Sequence, residues 1–139
     1  MNSELDKKWS TATLCIYSEL LAIDEISQAL DIKPTRSIKK GEKTNKRSVS
    51  SDFSKESRWL LDSNLSDLAS LEEHINQLLE VLEKNRSFLE KNIKSDEIEI
   101  RCTFSSETGQ GGFVLDRSLL KRLSEFNIDL IVSLYPPDE

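Results

Sequence analysis

The alternation of apolar and polar positions divides the chain into short strands and helices that follow one another without a long linker. Thr11 to Ser18 (TATLCIYS) is rich in apolar and β-branched residues. Its Leu14 and Ile16 face opposite to Thr13, Cys15 and Tyr17, so it reads as a first strand buried on at least one face. Asp24 is a natural N-cap for a short helix in which Ile26, Ala29 and Leu30 recur at helical spacing. Pro34 ends that helix, because it lacks an N–H and pushes Lys33 toward an extended conformation. Glu56 to Asp62 (ESRWLLD) sets Trp59 and Leu61 against Arg58, Leu60 and Asp62, the pattern of another strand. A partner strand is expected before it, around either Thr35 to Lys40 or Arg47 to Phe53.

Leu65 to about Lys94 is the longest periodic segment. Leu68, Leu71, Ile75, Leu78 and Leu82 step by three and four, and Glu72, Glu73, Gln77, Glu80 and Glu83 fall off that stripe. Ser70 with Glu73 matches a capping box, while the earlier start of the apolar period makes Asn64 or Ser66 an equal candidate. The stripe is too short for a coiled coil and predicts a helix packed on a sheet, with a break near Asn85. Glu97 to Phe104 (EIEIRCTF) alternates cleanly and predicts a strand with one wet face. The glycine-rich Ser105 to Gly112 reads as a loop. Asp116 then caps a helix with Leu119, Leu120, Leu123 and Phe126 inward, Asn127 stops it, and Ile128 to Tyr135 forms a last strand before Pro136 and Pro137.

The resulting order, β-α-(β)-β-α-β-α-β, predicts an α+β fold. Its single, mostly antiparallel sheet carries helices on one face, in a ferredoxin-like βαββαβ-type arrangement with an extra C-terminal helix and strand. The 139 residues read as one domain, with an N-terminal tail over 1–10 and a basic arm or hairpin over 33–55. A chain of that length buries roughly 68–70% of its unfolded surface, enough for an ordinary core without staples. Cys15 and Cys102 lie far apart inside apolar runs and read as reduced core thiols.

Charge is unevenly spread. Lys33 to Arg47 holds seven cations against one anion, a local +6 in a chain whose net charge is −6, so the remaining residues sum to −12. Such an overall balance argues against general nucleic-acid binding, and the arm contains no aromatic residue on which a base would stack. The opening residues, MNSELDKKWS, hold no apolar core of a secretory signal, and no run approaches a membrane span. A cytoplasmic protein is expected.

Candidate chemistry is sparse. His74, the only histidine, sits beside the apolar stripe and reads as a partly exposed helical residue, and nothing in its spacing from Cys15 supports a catalytic pair. The acidic pairs Glu72/Glu73 and Glu97/Glu99 read as solvated faces, so neither a metal nor another cofactor is expected. Gly109-Gln110-Gly111-Gly112 lacks the Lys-Ser/Thr end of a phosphate-binding loop.

The succession AIDEISQALDIKPTRSIKKGEK, then SRWLLDS, a leucine-rich helix and a terminal helix and strand ending in Tyr135 resembles the bacterial family catalogued as domain of unknown function 4279. The likeness runs from about Thr11 to Tyr135. It is carried by Ile26 and Leu30, by Pro34 and Thr35, by Lys40-Gly41-Glu42, and by Trp59. The resemblance transfers no catalytic residue. Small bacterial domains of this kind often serve as immunity proteins, and a non-catalytic protein that neutralises a toxin by direct binding is the expectation. A small-molecule or nucleotide-binding domain is the alternative. Partner-binding candidates are Arg36, Lys39, Lys40, Glu42, Arg47 and Trp59, with Glu72, Glu73, Glu80 and Glu83 (and Glu90) as carboxylates that would steer the chain into the cationic cleft of a toxin. A homodimer is also expected, because Leu60, Ile131 and Tyr135 lie opposite the predicted core.

Overall fold

The computed structural model describes residues 7–45, 52–94 and 97–135. Strand β1 (Lys8–Ser18) is followed by α1 (Ile23–Leu30), β2 (Arg36–Ile38) and β3 (Ser57–Asp62). Then come α2 (Leu71–Lys84), α3 (Arg86–Asn92), β4 (Ile98–Ser106), α4 (Arg117–Ser124) and β5 (Asp129–Tyr135). The sheet order is β2-β3-β1-β4-β5. All neighbours are antiparallel except β4 and β5, which run parallel with α4 as the crossover. The first four strands in that order make the ferredoxin-like core, and α4 with β5 extends it at one edge, as the alternation predicts.

Register sets which side chains share a face. Opposite one another on the helix side stand Leu14, Leu61 and Ile100, then Ile16, Trp59 and Ile98. They meet Ile26 and Leu30 of α1, Ile75, Leu78 and Leu82 of α2, and Leu119 and Leu123 of α4 in one core. Trp59 is fully buried and its Nε1–H donates to Ser27 Oγ at 3.0 Å, which fastens α1 to the middle of the sheet.

Helix ends correct several expectations. Asp24 does not cap α1: the helix starts one residue before it, and the Glu25 carboxylate accepts the N–H of Ala22, the residue at the cap position. Ser70, not Asn64 or Ser66, caps α2 by accepting the Glu73 N–H at 3.1 Å. Leu68 therefore precedes the helix and is largely exposed, so the apolar period overran the element by one turn. Leu120 is half exposed, because α4 is an eight-residue helix whose buried stripe takes only Leu119 and Leu123. Asp116 does cap α4, accepting from Leu119 N at 2.8 Å, and Asn127 adopts the left-handed conformation expected of a stop. The partner of β3 is β2. Of the rival segment, Phe53 makes a single bridge to Lys43, and residues 47–51 lie outside the described residues, as do Pro136 and Pro137.

Candidate functional site

The candidate surfaces arise where this architecture leaves side chains uncovered. With all helices on one side, the opposite face of the sheet carries the outward residues of every strand. Thr11, Thr13, Cys15 and Tyr17 run down β1, Arg36 comes from β2, Arg58, Leu60 and Asp62 from β3, and Glu99, Arg101 and Thr103 from β4. These groups are tied into two knots. Asp62 Oδ1 accepts from Arg36 Nη2 and from Thr13 Oγ1, each at 2.7 Å. Glu99 Oε1 accepts from Tyr17 Oη and from Arg101 Nε, also at 2.7 Å each. Thr11 and Thr103 share a short hydroxyl contact beside them.

Glu99 thus corrects the reading of a solvated carboxylate, since its side chain is 16% exposed. Burial disfavours its charge, but the hydrogen bonds from Arg101 and Tyr17 prevail and hold its carboxyl below the ordinary range. The same contact, after burial, pushes the Tyr17 phenol well above its usual value. Behind this layer Cys102 is pushed up to about 12 by burial, and the Cys15 thiol is also raised, first by burial. Both cysteines are free and buried, as core thiols would be.

His74 departs most from expectation. Its side chain lies under the sheet end rather than on a wet helix face, with 1% of the residue exposed. Nδ1 pairs with Ser63 Oγ at 2.6 Å, while Nε2 is buried without a partner among the described residues. An unsatisfied buried group of this sort costs about 1–3 kcal/mol. Cys15 lies on the opposite side of the sheet and bonds weakly to Thr13 O, so the two do not form a pair.

The predicted partner-binding residues do not converge. Arg36 joins the open face, whereas Lys39 and Lys40 border a cleft of about 360 Å³ together with Glu19, Asp24 and Glu25. Lys40 Nζ donates to the Glu19 carbonyl at 3.2 Å, and Glu42 accepts the Lys39 N–H at 2.9 Å. The described part of the arm therefore lies against its own domain, its two lysines sharing a cleft with three acidic residues, and Arg47 lies outside the described residues. Trp59 belongs to the core and presents nothing to a partner. On α2, Glu73 and Glu80 are exposed, but Glu83 forms two hydrogen bonds with Arg122 of α4, at 2.6 and 3.1 Å. Glu72 lies near Asp116; partial burial and then that neighbouring charge raise its carboxyl.

A third surface was not read from the sequence. At the end of the sheet where β1 begins and β4 and β5 finish, Phe104 and Phe113 meet edge to face with ring centroids 5.2 Å apart. On one side of this pair a cleft of about 400 Å³ is bordered by Leu68 and Val114, and on the other one of about 180 Å³ by Leu134 and Tyr135. Leu68, Val114 and Leu134 are between 62 and 70% exposed around this pair, an apolar shelf with Lys8 and Glu72 on its rim, whereas Tyr135, next to Leu134 along β5, belongs by register to the open face of the sheet. The only signal in the sequence is the apolar run Phe113-Val114-Leu115 between the glycine-rich loop and the cap Asp116.

A family model described as Domain of unknown function (DUF4279) matches residues 7–137. The chain belongs to the DUF4279 family. Comparison with curated proteins and with solved structures finds no match. The matched span of this DUF4279 chain takes in all five strands, so the open face and the apolar shelf both lie within the family domain. No helix among its described residues is long and apolar enough to cross a membrane.

Proposed function

We propose that this DUF4279 chain is a non-catalytic binding protein that docks on another protein, and that it is a cytoplasmic immunity protein whose partner is a toxin. The observation that carries the docking is the apolar shelf of Leu68, Phe113, Val114 and Leu134. Apolar side chains this exposed and this contiguous are unfavourable in water, and an apolar centre with a charged rim is the anatomy of a protein interface. Toxin neutralisation is supported by charge. The exposed Glu73, Glu80 and Glu90 and the net −6 of the chain suit a cationic partner such as an enzyme that acts on nucleic acid. The arm contributes less than its composition promises, since Arg36 is anchored to Asp62 and the Lys40 ammonium donates to the Glu19 carbonyl within the domain.

Cross-linking in the native host followed by mass spectrometry tests the docking, using the wild-type chain beside a Leu68→Asp/Val114→Asp/Leu134→Asp variant. Each replaced side chain is mostly exposed, so each change should alter stability by no more than about 0.5 kcal/mol. One protein is expected to be captured by the wild type and lost from the folded variant. Retention of that protein by the variant would exclude the shelf. The toxin reading is checked separately: expression of the captured protein should arrest growth, and co-expression of the wild type but not the variant should restore it. A captured protein that is harmless removes the immunity role and leaves docking intact.

A further inference from the structure

We infer that the open face of the sheet holds a binding site for a small molecule bearing a carboxylate or a phosphate group, with Arg36 and Arg101 as its cationic anchors. Past Asp62, where β3 stops, the free edge of β1 is taken up by the following loop: Ser63 N donates to Ala12 O and Ser10 N to Asp67 O. The step between the ended strand and this loop makes a cleft of about 420 Å³, within the range of small-molecule sites. Arg36 and Arg101 line it with Thr11, Thr103, Ser63 and His74.

Two independent features point to a ligand. The guanidiniums are held in place but not used up. Arg36 is fixed through Nη2 alone and Arg101 through Nε alone, and their other nitrogens have no hydrogen-bond partner among the described residues. Their side chains are 60% and 59% exposed. Forks anchored from one side by a carboxylate present preoriented donors on the other, the geometry suited to an oxyanion. The second feature is the His74 ring in the cleft wall, buried with Nε2 unpaired. Whichever tautomer the Ser63 contact selects, one ring nitrogen remains without a partner, and a bound polar molecule or its bridging water would supply one. Each guanidinium is balanced by the carboxylate that anchors it, Asp62 or Glu99, so the cleft is neutral within a chain of net charge −6 and offers an anion directed donors without an opposing excess of carboxylates. The site is separate from the apolar shelf and does not depend on the docking reading.

The test is a titration of the isotope-labelled full chain with inorganic phosphate and, separately, with acetate into the millimolar range, against sodium chloride at matched ionic strength. Amide shifts of Thr11, Ser63 and Thr103 are expected to saturate. Saturation by phosphate alone assigns a phosphate ligand, by acetate alone a carboxylate, and by both a general oxyanion site. Arg101→Gln should weaken the saturable binding roughly tenfold, the loss of one charge-assisted hydrogen bond. Thr103→Val, which leaves both guanidiniums in place, provides a second variant, and weakening in either folded variant supports the site. Shifts that neither anion saturates, or that saturate alike in the wild type and both variants, overturn it.

Discussion

Replacing Trp59 separates a structural from a recognition role for the residue that the sequence offers as a partner contact. The side chain has no exposed surface, stands beside Ile16 in the register and donates to Ser27 Oγ. Truncation to alanine removes the indole from water-free packing and leaves a cavity, at a cost of about 3–5 kcal/mol. Against a total stability of roughly 5–15 kcal/mol, that is a fifth or more of the whole for an ordinary domain. At this chain length it corresponds to a fall in melting temperature of about 10–20 °C. Trp59→Phe retains most of the ring but loses the donor. Ser27 is only partly buried, so its hydroxyl can turn to water, and the combined loss of hydrogen bond and volume should be about 1–3 kcal/mol. Urea unfolding followed by far-ultraviolet circular dichroism measures both, with the midpoint expected to shift at constant slope. Trp59→Phe combined with Ser27→Ala should cost less than the sum of the two, by about 1 kcal/mol, because the second change removes a bond already lost. Well below its midpoint, Trp59→Phe should capture the same partner as the wild type. A cost under about 1 kcal/mol for Trp59→Ala, or loss of capture by a folded Trp59→Phe chain, would refute the placement of this residue in the core.

Because the Glu99 carboxyl is lowered in the folded chain, its stabilising contribution should be complete above the unfolded value of about 4.3 and vanish as pH falls through the folded value. Acid unfolding of Glu99→Gln should accordingly lack that component below about pH 5, and identical acid profiles would remove the Tyr17–Glu99–Arg101 knot. Gly111 has φ +134°, and a Cβ there would lie 2.8 Å from Lys8 Cε, whereas a Cβ on Gly112 would meet nothing within 4 Å. Thermal melts should therefore show Gly111→Ala destabilised by about 1–2 kcal/mol and Gly112→Ala nearly neutral, with equal melts counting against the loop conformation.

Much of the fold was legible because periodicity reports burial directly. Ile98, Ile100, Cys102 and Phe104 alternate with polar residues because β4 is half covered, and Leu71, Ile75, Leu78 and Leu82 step at helical spacing because one face of α2 packs. The pattern failed at its margins. Leu68 and Leu120 continue an apolar period in sequence yet lie outside the buried stripe, since hydrophobicity marks what burial tolerates and not where a helix is capped. His74 reads as partly exposed from its place beside the apolar stripe, between Glu73 and Ile75, but helix rotation and the Ser63 hydroxyl, eleven residues away in sequence, bury it.

The candidate surfaces divide along the same line. By itself, the order of residues determined the α+β class, the ferredoxin-like succession with its added strand, the free core thiols and the family. Each of these depends on local spacing, capping or residue order, which a linear chain displays. Only the tertiary structure decided that Arg36, Asp62, Thr13 and Arg101 share one face, that Lys39 and Lys40 lie beside Glu19, Asp24 and Glu25, and that Leu68, Phe113 and Leu134 form one shelf. Those groupings depend on strand register and crossover, and a net charge summed along a segment carries no record of the carboxylates that folding brings beside it.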